Sequence, residues 1–225
     1  MRAEEVAGTL ALVGGAEWRD GCDFDADLLE RSGGKEVLVL PTAAAYEHPE
    51  RAVETARRWF EALGGSVRGL MVLTHADAED EANAAAVRGA AFVYLGGGSP
   101  LHLRSVLKGS AVFEAIEQAW REGAVVAGSS AGAMVLGDPM IDPRGGAFTV
   151  GLGLVEQLAV LPHHDPGRAT NWRTLELAPA GVVVAGIPER TALVRDPGGS
   201  WSSAGQGDVR LYLDAEECGL ERLDA

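Results

Sequence analysis

The chain has 225 residues, 47% of them hydrophobic and 23% charged; this suits one globular domain with a buried core and excludes a disordered chain or a mini-protein held by staples. With 19 basic against 33 acidic residues the net charge is −14, the wrong sign for tracking a phosphate backbone, so no nucleic-acid partner is expected. No window reaches the roughly 18 uninterrupted apolar residues of a membrane span.

The opening MRAEEVAGTLALVGG has one Arg, two Glu and a short apolar run, unlike a signal peptide, and the two cysteines, Cys22 and Cys218, form neither a disulfide framework nor a metal-ligand set. The expectation is a cytoplasmic protein without a membrane partner. Further along, LALV (10–13), VLVL (37–40), LMVL (70–73), AFVYL (91–95) and AVVA (124–127) read as buried strands, apolar on both faces. Between them helices are expected over 49–63, 79–88 and 111–122, the first carrying Val53, Ala56, Phe60 and Leu63 at helical spacing. Such alternation implies a parallel sheet covered on both faces. Beyond residue 136 strands are expected at 157–161, 182–186, 191–195 and 209–213. The acidic stretches 78–81 and 214–217 read as solvated surface.

The densest signal is A-V-V-A-G-S-S-A-G-A-M-V-L, residues 124–136. A buried strand runs into a sharp G-x-S-x-G turn centred on Ser130, then into a helix of small residues, which lets a strained serine expose its oxygen. A second loop, Gly96-Gly97-Gly98-Ser99-Pro100, follows the preceding strand. Its glycines can turn N–H groups outward, and Ser99 and Pro100 suit a helix start. Both loops leave consecutive parallel strands at the carboxyl edge of the sheet, where open α/β folds build their sites.

A serine hydroxyl needs a base, and the base needs an orienting group. Of five histidines, only the pair His163-His164 stands at a strand end after Ser130, and consecutive residues leaving a strand point to opposite sides, so one of them can face the serine. Among the acids, Glu189 follows an expected strand, whereas Asp138, Asp142 and Asp165 read better as caps or loop residues. Arg168 and Arg173 lie just behind the histidines, and either guanidinium could grip a substrate carboxylate.

G-S-S-A-G-A-M-V-L-G-D-P-M-I (128–141), the upstream L-G-G-G-S-P, H-D-P-G-R (164–168) and G-I-P-E-R-T-A-L (186–193) together resemble the S51 serine peptidases, which include the aspartyl dipeptidases and the cyanophycinases. The resemblance covers about residues 8–213. It implies a single-domain three-layer αβα sandwich over 1–225, with a mostly parallel sheet of class I glutamine amidotransferase-like, flavodoxin-like topology and no metal or cofactor. It also implies Ser130 as nucleophile, His164 as base and Glu189 as acid, with the backbone N–H groups of Gly98 and Ala131 as the oxyanion hole and Gly97, Ser99 and Arg168 at the substrate. His164 is chosen over His163 because cyanophycinases carry an arginine four residues after the histidine, which is Arg168 here. Cyanophycinases carry GGDQ where this chain has Gly97-Gly98-Ser99-Pro100. The expected partner is a small peptide or isopeptide with an aspartyl residue at the cleaved bond, and homodimer formation is left open. The alternatives are an α/β-hydrolase-like esterase and a catalytically silent amidotransferase-like binding protein.

Overall fold

A computed structural model describes residues 7–223. The charged residues of the opening segment, Arg2 to Glu5, lie outside the described residues. The first half of the chain alternates strands β1 (Leu10–Val13), β2 (Glu36–Leu40), β3 (Ser66–Gly69), β4 (Phe92–Leu95) and β5 (Val125–Ser129) with helices. Those helices are α1 (Phe24–Arg31), α2 (Pro49–Ala62), α3 (His75–Ala78), α4 (Glu81–Arg88), α5 (Pro100–Leu107) and α6 (Ala111–Arg121). The strands stand in the order β3-β2-β4-β5-β1, all parallel. The segment β3-β2-β4-β5 has the doubly wound, flavodoxin-like order, and its carboxyl edge is the place such sheets offer to a ligand.

Period-two alternation divides the core between the two faces of this sheet. Leu10, Leu12, Leu38, Leu40, Val93 and Leu95 pack with α4, α5 and α6, whereas Ala11, Val13, Val37, Val39, Phe92 and Tyr94 pack with α1 and α2. This is the expected three-layer arrangement. Two boundaries differ from expectation. The run LMVL lies just past its strand, because the pairing with β2 ends at Gly69 and Leu70 makes one more bond to Val39 O at 2.9 Å. Residues 79–88 are interrupted at Asp80, whose side chain caps α4 by accepting the Ala82 N–H at 2.8 Å.

After β5, α7 (Ala131–Leu136) leads through the short strands β6 (Gly137–Asp138), β7 (Met140–Ile141), β8 (Phe148–Thr149) and β9 (Val155–Glu156) to β10 (Leu158–Pro162). Helix α8 (Ala169–Glu176) carries the chain from β10 to the parallel strand β11 (Val183–Ile187), as a crossover must. Strands β12 (Thr191–Arg195) and β13 (Trp201–Gly205) then extend the first sheet antiparallel beyond β1, while β14 (Arg210–Leu213) and β15 (Glu216–Cys218) extend the second. Three residues, Pro188-Glu189-Arg190, therefore pass the chain from the second sheet to the first. Both cysteines are free, and burial pushes the Cys22 thiol up to about 11. Among the described residues no helix is long and apolar enough to cross a membrane, and no group of three His, Cys, Asp or Glu could hold a metal ion.

Asp25, at the start of α1, is fully buried. One oxygen accepts the Trp59 indole N–H at 2.9 Å, while the other has no partner among the described residues. Burial pushes its carboxyl up to about 8 from an ordinary 3.8, against the opposing Trp59 bond. The folded chain thus holds a proton that the unfolded chain has already released. Raising the pH through that window removes stability, which is fully present below the unfolded value. Thermal melting should show the wild-type Tm falling between about pH 5 and about pH 8, and Asp25→Asn, which keeps the acceptor for Trp59, should flatten that slope.

Candidate active site

The turn at Ser130 is built by what its neighbours lack. Ser130 sits at φ 48° and ψ −106° between β5 and α7, outside the ordinary regions for a residue with a side chain. A Cβ on Gly128 would lie 2.6 Å from the Gly132 carbonyl carbon, and one on Gly132 would overlap the Leu95 carbonyl oxygen. The two glycines of the G-x-S-x-G motif therefore allow α7 to lie directly against β5 and β4. Ser130 O accepts the first helical bond, from Met134 N at 2.9 Å, and Ser130 N donates to Val13 O at 2.9 Å.

Against this turn the structure sets His163. Its Nε2 is 2.9 Å from Ser130 Oγ, and its Nδ1 is 3.0 Å from Glu189 Oε1. An ionised carboxylate only accepts, so Nδ1 carries the proton and donates to Glu189, leaving the Nε2 lone pair for the Ser130 hydroxyl. A hydroxyl in this position can pass its proton to the imidazole as its oxygen attacks an acyl carbon.

The choice of His164 is overturned by its surroundings. His164 is 5% exposed and its ring faces away, with Nε2 3.0 Å from Tyr212 Oη and Nδ1 accepting from Asn171 Nδ2 at 3.1 Å. A Cβ on Gly186 would lie 2.7 Å from that ring, so the imidazole occupies the space a side chain on β11 would take. Burial, and then the Arg210 charge, hold the His164 pKa below its ordinary value, as suits a neutral core histidine. The two histidines do point to opposite sides, but φ +51° at His163 turns that ring toward Ser130. The spacing to Arg168 selected the member of the pair whose ring faces away from Ser130.

Behind the three side chains lies a device that the sequence reading passed over. At the end of β1 and just past it the backbone presents three successive carbonyls. Val13 O receives Ser130 N at 2.9 Å, Gly14 O receives His163 N at 2.8 Å, and Gly15 O receives Arg190 N, next to Glu189, at 2.8 Å. A Cβ on Gly14 would overlap the Pro188 carbonyl oxygen, and one on Gly15, where φ is +121°, would overlap the His163 ring. The available signal was two glycines directly after a buried strand that adjoins the elbow strand.

The triple-glycine loop divides its amides. Gly96 N donates to Leu40 O at 3.1 Å, Gly97 N to Glu17 Oε1 at 3.1 Å and Ser99 N to Ala43 O at 2.8 Å. Gly98 N has no acceptor among the described residues, and Gly98 lines a cleft of about 530 Å³ together with Ser130 and His163. Gly97 and Ser99, expected at the substrate, instead hold the loop, Ser99 also capping α5 by accepting the His102 N–H at 3.3 Å. Arg168 is exposed outside the lining of this cleft, whereas Arg173 lines it and has no hydrogen-bond or ion-pair partner among the described residues. Arg144 lines it too, but its guanidinium is committed to Asp142, through Nε at 3.0 Å and a second nitrogen at 2.6 Å. That guanidinium holds the Asp142 carboxyl down to about 2.

Gly15→Ala should cost about 100-fold in turnover by displacing His163, since misplacement by about 1 Å is worth that much. Its circular dichroism should remain that of the wild type, because Gly15 lies past the end of β1 and outside the hydrophobic core on either face of the sheet.

Comparison with known proteins agrees with the geometry. The sequence model for peptidase family S51 matches residues 10–199. The chain is 29% identical to a cyanophycinase of Trichormus variabilis over 230 residues, 96% of this chain and 77% of that protein. It is 26% identical to a cyanophycinase of Synechococcus elongatus, over 91% of this chain and 67% of that protein. Among solved structures, a peptidase from an acI-B1 Actinobacterium superposes with a TM-score of 0.84 at 30% identity, covering 94% of this chain and 93% of that one. A putative Peptidase E protein from Listeria monocytogenes EGD-e shares the fold, with a TM-score of 0.66 at 20% identity over 92% of this chain and 98% of that one. The chain thus belongs to peptidase family S51, and it is a serine-type peptidase.

Proposed function

We propose that the enzyme hydrolyses a short peptide or isopeptide through an acyl-enzyme, with Ser130 as nucleophile, His163 as general base and acid, and Glu189 as the group that orients His163. The unbroken chain of contacts from Ser130 Oγ through His163 to Glu189 carries this reading. Ser130 Oγ bonds to the carbonyl carbon of the substrate as its proton moves to His163 Nε2. The C–N bond then breaks as that proton passes to the leaving amine. Water, deprotonated by the same nitrogen, releases the acid and restores the hydroxyl. Negative charge on the tetrahedral oxygen is met by the amides of Gly98 and Ala131, the first without another acceptor and the second at the first turn of α7, where no intrahelical bond claims it.

An acidic residue at the cleaved bond is supported by Arg173. With Arg144 neutralised by Asp142, Arg173 is the cleft cation whose charge is uncommitted among the described residues. A guanidinium in that state holds a carboxylate through two parallel bonds. The chain order Ser, His, Glu separates the site from an α/β-hydrolase esterase, where the acid precedes the histidine.

A panel of Asp-X dipeptides, β-aspartyl dipeptides, β-Asp-Arg and an acetate ester should show turnover of an aspartyl substrate. Ser130→Ala and His163→Ala should each lower it by at least about 10⁴-fold. Glu189→Gln should lower it by a comparable factor through the wrong tautomer. His164→Ala should spare the chemistry while lowering Tm, because it empties a buried, twice-bonded position worth about 1–3 kcal/mol. An active His163→Ala variant would return the base to its neighbour. Arg173→Met should raise KM for aspartyl over neutral peptides by about 10- to 100-fold, the worth of a charged hydrogen bond of 1.5–3 kcal/mol; equal loss on both substrate types removes the carboxylate role.

A further inference from the structure

We propose that Glu17 is the positioning residue of the oxyanion hole, its carboxylate fixing the distance between the two loops that supply the amides. This inference rests on the assignment of those amides to Gly98 and Ala131. One oxygen of Glu17 accepts Gly97 N–H at 3.1 Å, and the other accepts the Ser129 hydroxyl at 2.8 Å. Gly97 directly precedes Gly98, and Ser129 directly precedes Ser130 and Ala131. A rigid three-atom carboxylate thus spans the gap between the loop after β4 and the elbow after β5.

The surroundings are shaped for that span. A Cβ on Gly97 would lie 3.0 Å from Glu17 Oε1 and 3.6 Å from Ser130 Cβ, so the loop approaches both closely. The next residue, Gly98, has φ +135° and would overlap the Ala43 carbonyl with any side chain. With the Gly97 amide tied to Glu17 and the Ser99 amide tied to Ala43, the intervening Gly98 amide is fixed from both sides. Glu17 itself is bracketed by Ala16 at φ +54° and Trp18 at φ +57°. Two left-handed residues with side chains, one on each side of Glu17, cost free energy that plain loop closure does not require. The Trp18 ring packs against Tyr94 of β4 at 5.2 Å between centroids and approaches Gly96, which anchors the segment under the loop it serves.

Oxyanion donors act in the transition state, so loss of their alignment appears in turnover and in tetrahedral-adduct affinity while ground-state binding stays as it was. Glu17→Ala should lower kcat by about 100-fold with KM nearly unchanged, the size of one lost donor. An aspartyl aldehyde, which forms a hemiacetal with Ser130, should lose affinity by the same factor, whereas a non-reactive aspartyl alcohol should not. Glu17→Gln should restore most of the rate, because its oxygen can accept from Gly97 and its amide can donate to Ser129 Oγ. Ser129→Ala, which removes one of the two bonds, should fall between. In ¹⁵N spectra the Gly97 amide proton should move upfield in Glu17→Ala and stay in place in Glu17→Gln, whatever substrate the enzyme prefers.

A folded Glu17→Ala variant with wild-type kcat overturns the proposal, as does equal weakening of aldehyde and alcohol or an unmoved Gly97 resonance. Full activity of Ser130→Ala would instead defeat the underlying assignment of the site, an outcome independent of the Gly97 resonance.

Discussion

The site depends on one stretch of main chain, the carbonyls of Val13, Gly14 and Gly15 at the end of the interior strand β1 and just past it. Each receives an amide from a different arm of the molecule: the elbow at Ser130, the strand end at His163 and the inter-sheet crossing at Arg190. These arms come from two sheets and from positions more than a hundred residues downstream, so nothing local could align them. Backbone bonds of 2.8–2.9 Å do so, and they are possible because Gly14 and Gly15 leave room for Pro188 and His163 to close in. Buried amides must find acceptors, and here satisfying that rule assembles the site.

The energy cost of this assembly is concentrated around it. Of nine described residues other than glycine with positive φ, five belong to the segments that build the site: Ala16, Trp18, Ser130, His163 and Arg190. Each such conformation costs on the order of 1 kcal/mol or more. The reservoir that offsets it is the continuous core on both faces of the parallel sheet, where β1, β4 and β5 are buried throughout. Strain at the carboxyl edge thus falls within five residues of a strand end in every case.

Much of this was legible in the sequence, and the failures have physical causes. The alternation of apolar runs with helical spacing identified the parallel sheet because both of its faces are covered. The G-x-S-x-G turn was legible because its small residues answer a steric demand made within five positions. The run LMVL misled because an apolar run reports burial, and burial persists at Val72 after strand pairing has ended. His163 and His164 could not be ranked by local pattern, since alternation says that they diverge and nothing nearby says which way. That direction is set by the Gly14 carbonyl, about 150 residues upstream. Gly14, Gly15 and Glu17 gave little signal for a related reason: two of them act through carbonyl oxygens, which every residue has, and the third meets a backbone amide and a hydroxyl 80 and 112 residues away.

The holding of Ser130, His163 and, through Arg190, Glu189 by main-chain bonds separates the placing of these side chains from their chemistry. The amide of Ser130 would bond to Val13 O whatever atom its Cβ carried, and the Gly128–Gly132 contact concerns only backbone. The scaffold is therefore modular in a strict sense. A thiol could replace the hydroxyl without disturbing any bond that places it, whereas a single methyl group added at Gly14 or Gly15 would have to displace the Pro188 carbonyl or the His163 ring. Tolerance to change in this enzyme runs opposite to intuition: the side-chain atom at Ser130 is the exchangeable part, and the empty positions beside it are the constrained ones.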